Sequence, residues 1–300
     1  MKAVVIGSMN MDYTMVVDHL PARGETVTAV RLRTSAGGKG LNQAVALARL
    51  GVEVVMVGAV GDDASGKALL GNLPKDHIPD FAIKKVDDST GNAFITVDSQ
   101  GHNTIVVYPG ANYKLDMGWV ESFKGEIASA DFVVMQMEIP LDTVVSSIEL
   151  AHSLGTTVVL NPAPALPLPP EIYPMIDLIV PNETELTLLT GQNDVLEGAR
   201  KLLEMGAKAV VVTLGSSGCL YEDTSQEILV EGFKVKAVDS TAAGDAFIGG
   251  LLSALGRRED IRTAMTFANA VGAITVTRPG AQESIPTYEE VKDFLRRRGA

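Results

Sequence analysis

Apolar and polar positions along this chain follow two rhythms, and the switch between them divides it. Residues 3–7, Ala-Val-Val-Ile-Gly, form an unbroken apolar run of strand length, which predicts a strand buried on both faces. From Tyr13 to Ser35 the pattern changes to short strands, with Ala29-Val30-Arg31-Leu32-Arg33 alternating after the turn Pro21-Ala22-Arg23-Gly24. Period-two alternation returns at residues 93–98 and 104–108, joined by the hairpin loop Ser99-Gln100-Gly101-His102. These segments predict a small sheet outside the main one. A sheet of so few strands needs something to pack on, so a lid over the main domain, a ligand or a second subunit is the economical expectation.

After Tyr113 strand and helix patterns alternate, as in a largely parallel sheet with covered faces. Strands are expected at 131–137, 156–160, 178–180 and 209–214. Polar residues follow each of them: Glu138, Asn161, Asn182 with Glu185, and Gly215-Ser216-Ser217-Gly218. Ligands of open α/β sheets lie beyond the carboxyl ends of strands, so Asn10, Asp12, Glu138, Asn182, Gly215 and Asp245 are expected to face one crevice. Taken singly they have plainer readings, since Asn182-Glu183-Thr184-Glu185 is also a helix-capping box and Gly-Ser-Ser-Gly is usually only a turn. Residues 258–276 read as one long helix interrupted by Asn269. Thr287-Tyr288-Glu289-Glu290 reads as the capping box of a last helix that Arg296-Arg297-Arg298 ends, and the Pro-rich stretch 162–174 as a surface connection.

Two glycine-containing stretches carry the candidate chemistry. In Asp239-Ser-Thr-Ala-Ala-Gly-Asp245 an alternating run at 233–238 reads as a strand, and the apolar run 247–255 reads as a buried helix. Ala242, Ala243 and Gly244 have almost no side chain, so a ligand can reach their N–H groups at the positive end of the helix, which makes an anion site. Asp245 sets a carboxylate beside it and reads either as a base or as the helix N-cap. In Ala36-Gly-Gly-Lys-Gly-Leu-Asn-Gln43 glycines again open a helix, which Gly51 stops. A P-loop would need a glycine at Arg33 and a hydroxyl at Gly40, so that reading fails. What remains is a turn presenting Lys39, Asn42 and bare backbone, which suits a polyhydroxylated ligand.

Composition narrows the partners. The 300 residues are 46% hydrophobic, enough for one large α/β core with an appendage or for two domains. A net charge of −12 argues against nucleic acid and anionic membrane, so a phosphate ligand needs local positive devices. No apolar run is long enough to span a membrane and Met1-Lys2 leads straight into a strand, which points to the cytoplasm. The single Cys219 excludes an internal disulfide. His19, His77, His102 and His152 lack metal-ligand spacing, which leaves carboxylates, backbone and a ligand-borne metal for any chemistry.

Over nearly its whole length the chain resembles the phosphofructokinase-B-type carbohydrate kinases. The resemblance is carried in order by Ala36 to Ala44 (AGGKGLNQA), Gln136 to Glu138 (QME), Asn161 to Ala165 (NPAPA), Pro181 to Glu185 (PNETE), Thr213 to Gly218 (TLGSSG), Asp239 to Asp245 (DSTAAGD) and Thr277 to Ser284 (TRPGAQES). It implies a ribokinase-like α/β fold, a mostly parallel central sheet flanked by helices with a small β lid. The α/β domain would comprise residues 1–12, 36–90 and 109–300, and the lid, doubling as a dimer clasp, residues 13–35 and 91–108.

The resemblance further implies ATP-dependent phosphorylation of D-ribose at O5, or of a related sugar or nucleoside such as deoxyribose, fructose or adenosine. A non-catalytic sugar-binding protein of the same fold is the other class, and retention of Asp245 speaks against it. Asn10, Asp12, Gly38, Lys39, Asn42 and Glu138 match the family's sugar-binding positions, Asp245 its base and Ala242, Ala243 and Gly244 its anion hole. Asn182, Thr213, Leu214, Gly215, Ser216, Ser217, Gly218, Gly244 and Asn269 match positions near ATP, with Glu185 associated with Mg²⁺ and phosphate. Asp239, Thr241, Thr275, Arg278, Gly280 and Ser284 match a loop for a monovalent cation, K⁺. Ala242 stands where many relatives have Gly, and Asn269 where some have His.

Overall fold

The unbroken apolar run at the start of the chain becomes a strand with neighbours on both sides. A computed structural model describes residues 1–299. Its strands are β1 Lys2–Ile6, β2 Asn10–Val16, β3 Arg31–Gly37, β4 Glu53–Gly61, β5 Ile83–Val86, β6 Gly91–Val97, β7 Asn103–Tyr108, β8 Phe132–Met135, β9 Thr157–Leu160, β10 Leu178–Ile179, β11 Ala209–Thr213, β12 Gly218–Asp223 and β13 Glu227–Glu231. Nine of them form one sheet in the order β13-β12-β11-β10-β9-β8-β1-β4-β5. All pairings from β11 to β5 are parallel, and β12 alone runs against its neighbours. Within β1, Ala3 and Val5 enter the core on one face of this sheet and Val4 and Ile6 the core on the other. Full burial of each Val or Ile side chain here contributes about 1.5–3 kcal/mol, which is why both faces need helices.

The second sheet, β3-β2-β6-β7, joins β2 to β6 in parallel and the other neighbours antiparallel. Its strands grow directly from the larger domain: β2 starts four residues after β1 ends, and Gly37 at the end of β3 leads into the helix Lys39–Arg49. Leu32, Phe94 and Val106 leave exposed apolar side chains on one face of it, and Ile105 and Val107 are exposed on the other.

Small residues decide how the helices beside the crevice meet. Helix Ala243–Gly256 lies between helix Lys39–Arg49 and helix Ile261–Thr275. A Cβ on Gly249 would lie 2.5 Å from Ala46 Cβ, and one on Gly250 would lie 2.9 Å from Val271 Cγ2. Backbone-level approach of these helices therefore requires glycine at both positions. It also fixes the height at which Asp245, one turn earlier, meets the first helix.

Three sequence expectations are corrected. Residues 233–238 form no strand: β13 ends at Glu231, because its partner β12 begins at Gly218 and the chain before that turns away through a short 3₁₀ segment, Gly215–Ser217. The segment is anchored instead by Val238 N–H, which donates to Val276 O at 2.7 Å. The helix expected from residue 258 starts at Ile261, where the Asp260 side chain accepts from Thr263 N–H, while Arg258 holds φ 63° in the turn before it. The stretch 162–174 is no surface connection throughout, since Ala163, Leu168, Ile172 and Tyr173 are buried in the core. The expected capping boxes are present at Asn182 with Glu185 and at Thr287 with Glu290.

Replacing Gly249 with Ala tests the helix packing. In an exposed helix that change stabilises by about 1 kcal/mol. Here the added methyl meets Ala46, and the urea midpoint is expected to fall by an amount corresponding to about 1–3 kcal/mol.

Candidate active site

The two glycine-containing stretches open helices that meet at one carboxylate. Asp245 lies in the first turn of helix Ala243–Gly256, is 7% exposed, and does not cap that helix. Its Oδ2 accepts from Asn42 Nδ2 at 2.9 Å and its Oδ1 from Gln43 Nε2 at 3.0 Å. The N-cap reading of Asp245 is thereby excluded. The N-cap position belongs to Ala242, which adopts φ 60° and supplies no side-chain cap. That left-handed conformation costs a non-glycine residue about 1–2 kcal/mol and turns the chain sharply into the helix. Ala243 N–H bonds Ser240 O at 3.2 Å, while Gly244 is exposed and a Cβ there would meet nothing within 4 Å. The helix N-terminus is accordingly open to an anion.

The first helix is seated by close backbone approach. Gly38, at its N-cap, has φ 87°, and a Cβ there would lie 2.7 Å from Asn10 N. Glu138, just past β8, accepts from Lys39 N–H at 3.0 Å and from Ser8 Oγ at 2.5 Å. This caps the helix from a distant part of the chain and sets a carboxylate at its positive end. Asn10 at the start of β2 is held by Asn112, whose Nδ2 donates to Asn10 Oδ1 at 2.7 Å and whose Oδ1 accepts from Met9 N–H at 2.9 Å. Asn10, Asp12, Gly38, Asn42 and Asp245 are buried, and Lys39 and Glu138 half-buried.

The carboxylates share one field. Burial, reinforced by Glu138, Asp245 and Glu283, pushes Asp12 up to about 7. Burial also raises Asp245 above the ordinary carboxylate range, against the pull of Lys39, Asn42 and Gln43. Glu185 is raised by burial and by Asp245, despite Asn182 N–H and Lys39. Burial pushes the Lys39 ammonium down, yet Asp245, Glu138 and Glu185 outweigh it and leave Lys39 raised, hence charged. A single cation serves several carboxylates, at the point where the acidic protein needs local positive charge.

The remaining predicted residues fall into two neighbouring groups. Asn182 and Glu185 open helix Glu183–Thr190, and Asn182 forms a β-bridge to Thr213 at the end of β11, from which Leu214 and Gly215–Ser217 turn back into Gly218. Gly215, Ser216 and Ser217 are exposed. Asn269 is buried, and its Nδ2 donates to Val230 O and Glu231 O at 3.3 Å. In the second group Asp239 accepts from Thr241 N–H and Oγ1 with one oxygen and from Gly280 N–H with the other. Thr275 and Ser284 hydroxyls donate to Val271 O and Ala281 O, and Arg278 pairs with Glu290 at 2.6 Å. The donor set of this group is hard oxygen, from hydroxyls, backbone carbonyls and the one carboxylate Asp239, which already accepts three protein hydrogen bonds. Among the described residues no cluster of three His, Cys, Asp or Glu side chains is placed to hold a metal. No helix of the described chain is long and apolar enough to cross a membrane.

Sequence reasoning missed Ser8 and Asn112 as supports of the site. Ser8 sits just past the carboxyl end of β1, a position that flags it. Asn112 follows the Pro109-Gly110 turn and gives no such signal. Gln43, Gln136 and Asn161 lay within quoted motifs but received no role.

A family model described as "pfkB family carbohydrate kinase" matches residues 1–288. A ribokinase from Staphylococcus aureus (strain COL) is 41% identical over 298 residues, covering 97% of this chain and 98% of that protein. A deoxyribokinase from Salmonella typhi is 36% identical over 302 residues, covering 98% of this chain and 99% of its own length. The structure of Arabidopsis thaliana ribokinase complexed with ribose and ATP superposes with a TM-score of 0.91 at 30% identity, covering 98% of both chains.

The shared field makes a pH prediction. Asp12 binds its proton more tightly when folded, near pH 7, than its ordinary value of 3.8. Between those values the unfolded chain has released a proton that the native state retains, so raising the pH through this window costs stability. The Asp12→Asn variant loses that contribution. Its stability relative to the parent, from urea unfolding at pH 4 to 7, is expected to rise with pH, and a pH-independent difference would contradict the assignment.

Proposed function

The chain belongs to the pfkB family of carbohydrate kinases, and from that premise we propose that it transfers the γ-phosphoryl group of ATP to O5 of D-ribose. The observation that carries this reading is the placement of Asp245. It is a buried carboxylate gripped by neutral amides, in the first turn of a helix whose N-terminus is open. Phosphoryl transfer asks a protein for positioning and charge stabilisation more than for covalent chemistry, and this arrangement offers both.

In the proposed reaction Asn10, Asp12, Gly38, Lys39, Asn42 and Glu138 bind the sugar hydroxyls. Asp12, with a raised proton affinity, suits either donation or acceptance of a hydrogen bond there. Asp245 takes the proton of the 5-hydroxyl as it attacks, and the amides of residues 242–244, with Ala243 N–H turning from Ser240 O, receive the phosphoryl oxygens. Asn182, Thr213–Gly218 and Asn269 lie on the nucleotide side. Mg²⁺ arriving with ATP would neutralise phosphate charge, with Glu185 as the protein carboxylate on that side. A K⁺ ion fits the oxygens of Asp239, Thr241, Thr275, Arg278, Gly280 and Ser284, where it would brace the loop leading to the anion site. The β sheet of segments 13–35 and 91–108 serves as a lid over the domain formed by 1–12, 36–90 and 109–300, and its exposed apolar face suits a homodimer clasp.

The Asp245→Asn variant is expected to bind ribose nearly normally by calorimetry and to lose about 10²–10⁴-fold in kcat. Near-normal turnover would refute the base assignment. Assaying ATP consumption with ribose, deoxyribose, fructose and adenosine, with and without K⁺, ranks the acceptors, and ribose is expected first. Sedimentation at micromolar concentration is expected to show a dimer, and a monomer would remove the clasp.

A further inference from the structure

Behind Asp245 runs a chain of buried amides that the proposed reaction does not use. Gln43 Nε2 donates both to Asp245 Oδ1 at 3.0 Å and to Asn161 Oδ1 at 3.1 Å. Gln136 Nε2 donates to Gln43 Oε1 at 2.6 Å, and Asn161 Nδ2 donates to the backbone carbonyl of Val180 at 2.9 Å. Gln43 and Gln136 are fully buried and Asn161 is 7% exposed.

The direction of every bond in this chain follows from its last member. A backbone carbonyl only accepts, so Asn161 gives Val180 its amino group and turns its oxygen to Gln43. Gln43 must meet that oxygen with its own amino group, which therefore also faces Asp245. Its oxygen then points to Gln136, which must answer with an amino group. Gln136 Oε1 is left over, and it is buried with no hydrogen-bond partner. Turning Gln43 about would press its oxygen against both Asp245 and Asn161. The network tolerates one orphan acceptor at its far end and keeps a donor at the carboxylate. Gly7 makes room for that orphan, since a Cβ there would lie 2.0 Å from it.

We infer that Gln43, oriented by Asn161 and Gln136, is a positioning residue for Asp245: it engages Oδ1, prevents the carboxylate from turning, and so keeps Oδ2, whose one protein donor is Asn42 of the proposed sugar site, as the oxygen that takes the substrate proton with its remaining lone pair. A neutral amide suits this role because it orients the base without neutralising it. The inference rests on the proposed kinase reaction.

Its test begins with unmodified protein and ribose, because absence of turnover there would sink the functional reading and this inference with it. Given turnover, Gln43→Met removes the donor while keeping the volume. The prediction is a kcat about ten- to a hundredfold lower with ribose KM little changed. The acid limb of the kcat pH profile should move up by roughly one unit, since the ionised carboxylate has lost a donor. The other charged groups around Asp245, namely Lys39, Asp12, Glu138 and Glu185, stay in place and hold the rest of the field constant. Gln136→Met frees the oxygen of Gln43 and is expected to show the same shift, smaller. It supplies the readout if Gln43→Met does not fold. A folded variant whose kcat profile superposes on the parent's, or one that loses kcat with the acid limb unmoved, overturns the inference.

Discussion

The site depends on one pair of hydrogen bonds, from Asn42 and Gln43 of one helix to the two oxygens of Asp245 on another. Through them the first turns of two helices converge on a single carboxylate. A charge this deeply buried is tolerable only when its lone pairs are met, and amides meet them without supplying a counter-charge. Lys39 provides the nearby positive charge from the edge of the same helix, where several carboxylates divide its influence.

Small residues make that convergence possible. Gly38 and Gly40 let the first helix press onto the chain at Ser8 to Asn10, and Gly249 lets the second helix press onto the first at Ala46. Each replaces what elsewhere would be a methyl group by a backbone contact. In the proposed reaction the acidic surface is reconciled with an anionic cosubstrate in the same way, because bare amides at a helix end attract phosphate locally and need no basic patch.

The sequence made the larger sheet legible because strands buried on both faces read as unbroken apolar runs, as at Val4 to Ile6 and Val210 to Val212. It misled at 233–238, where alternation alone implied a strand. Whether such a segment joins a sheet depends on a partner, and Gly218 ends that partner. The same limit explains the late helix start at Ile261, since the left-handed Arg258 is invisible in a pattern of apolar spacing. Asp245 stood out beside its small neighbours, but its bonding partners lie 202 and 203 positions away and no local pattern reveals them. Gln43, Gln136 and Asn161 were quoted as motif letters, and only their mutual distances give them work to do.

If Asp245 is the proposed buried base in contact with the sugar site, its own ionisation reports it most directly. Carbon-13 NMR of carboxyl-labelled aspartates, with Asp245→Asn used to assign the signal, follows that proton without relying on turnover. From that role a midpoint above the ordinary 3.8 and a signal that moves when ribose is added are expected. A midpoint at the ordinary value, with a signal indifferent to ribose, would contradict it.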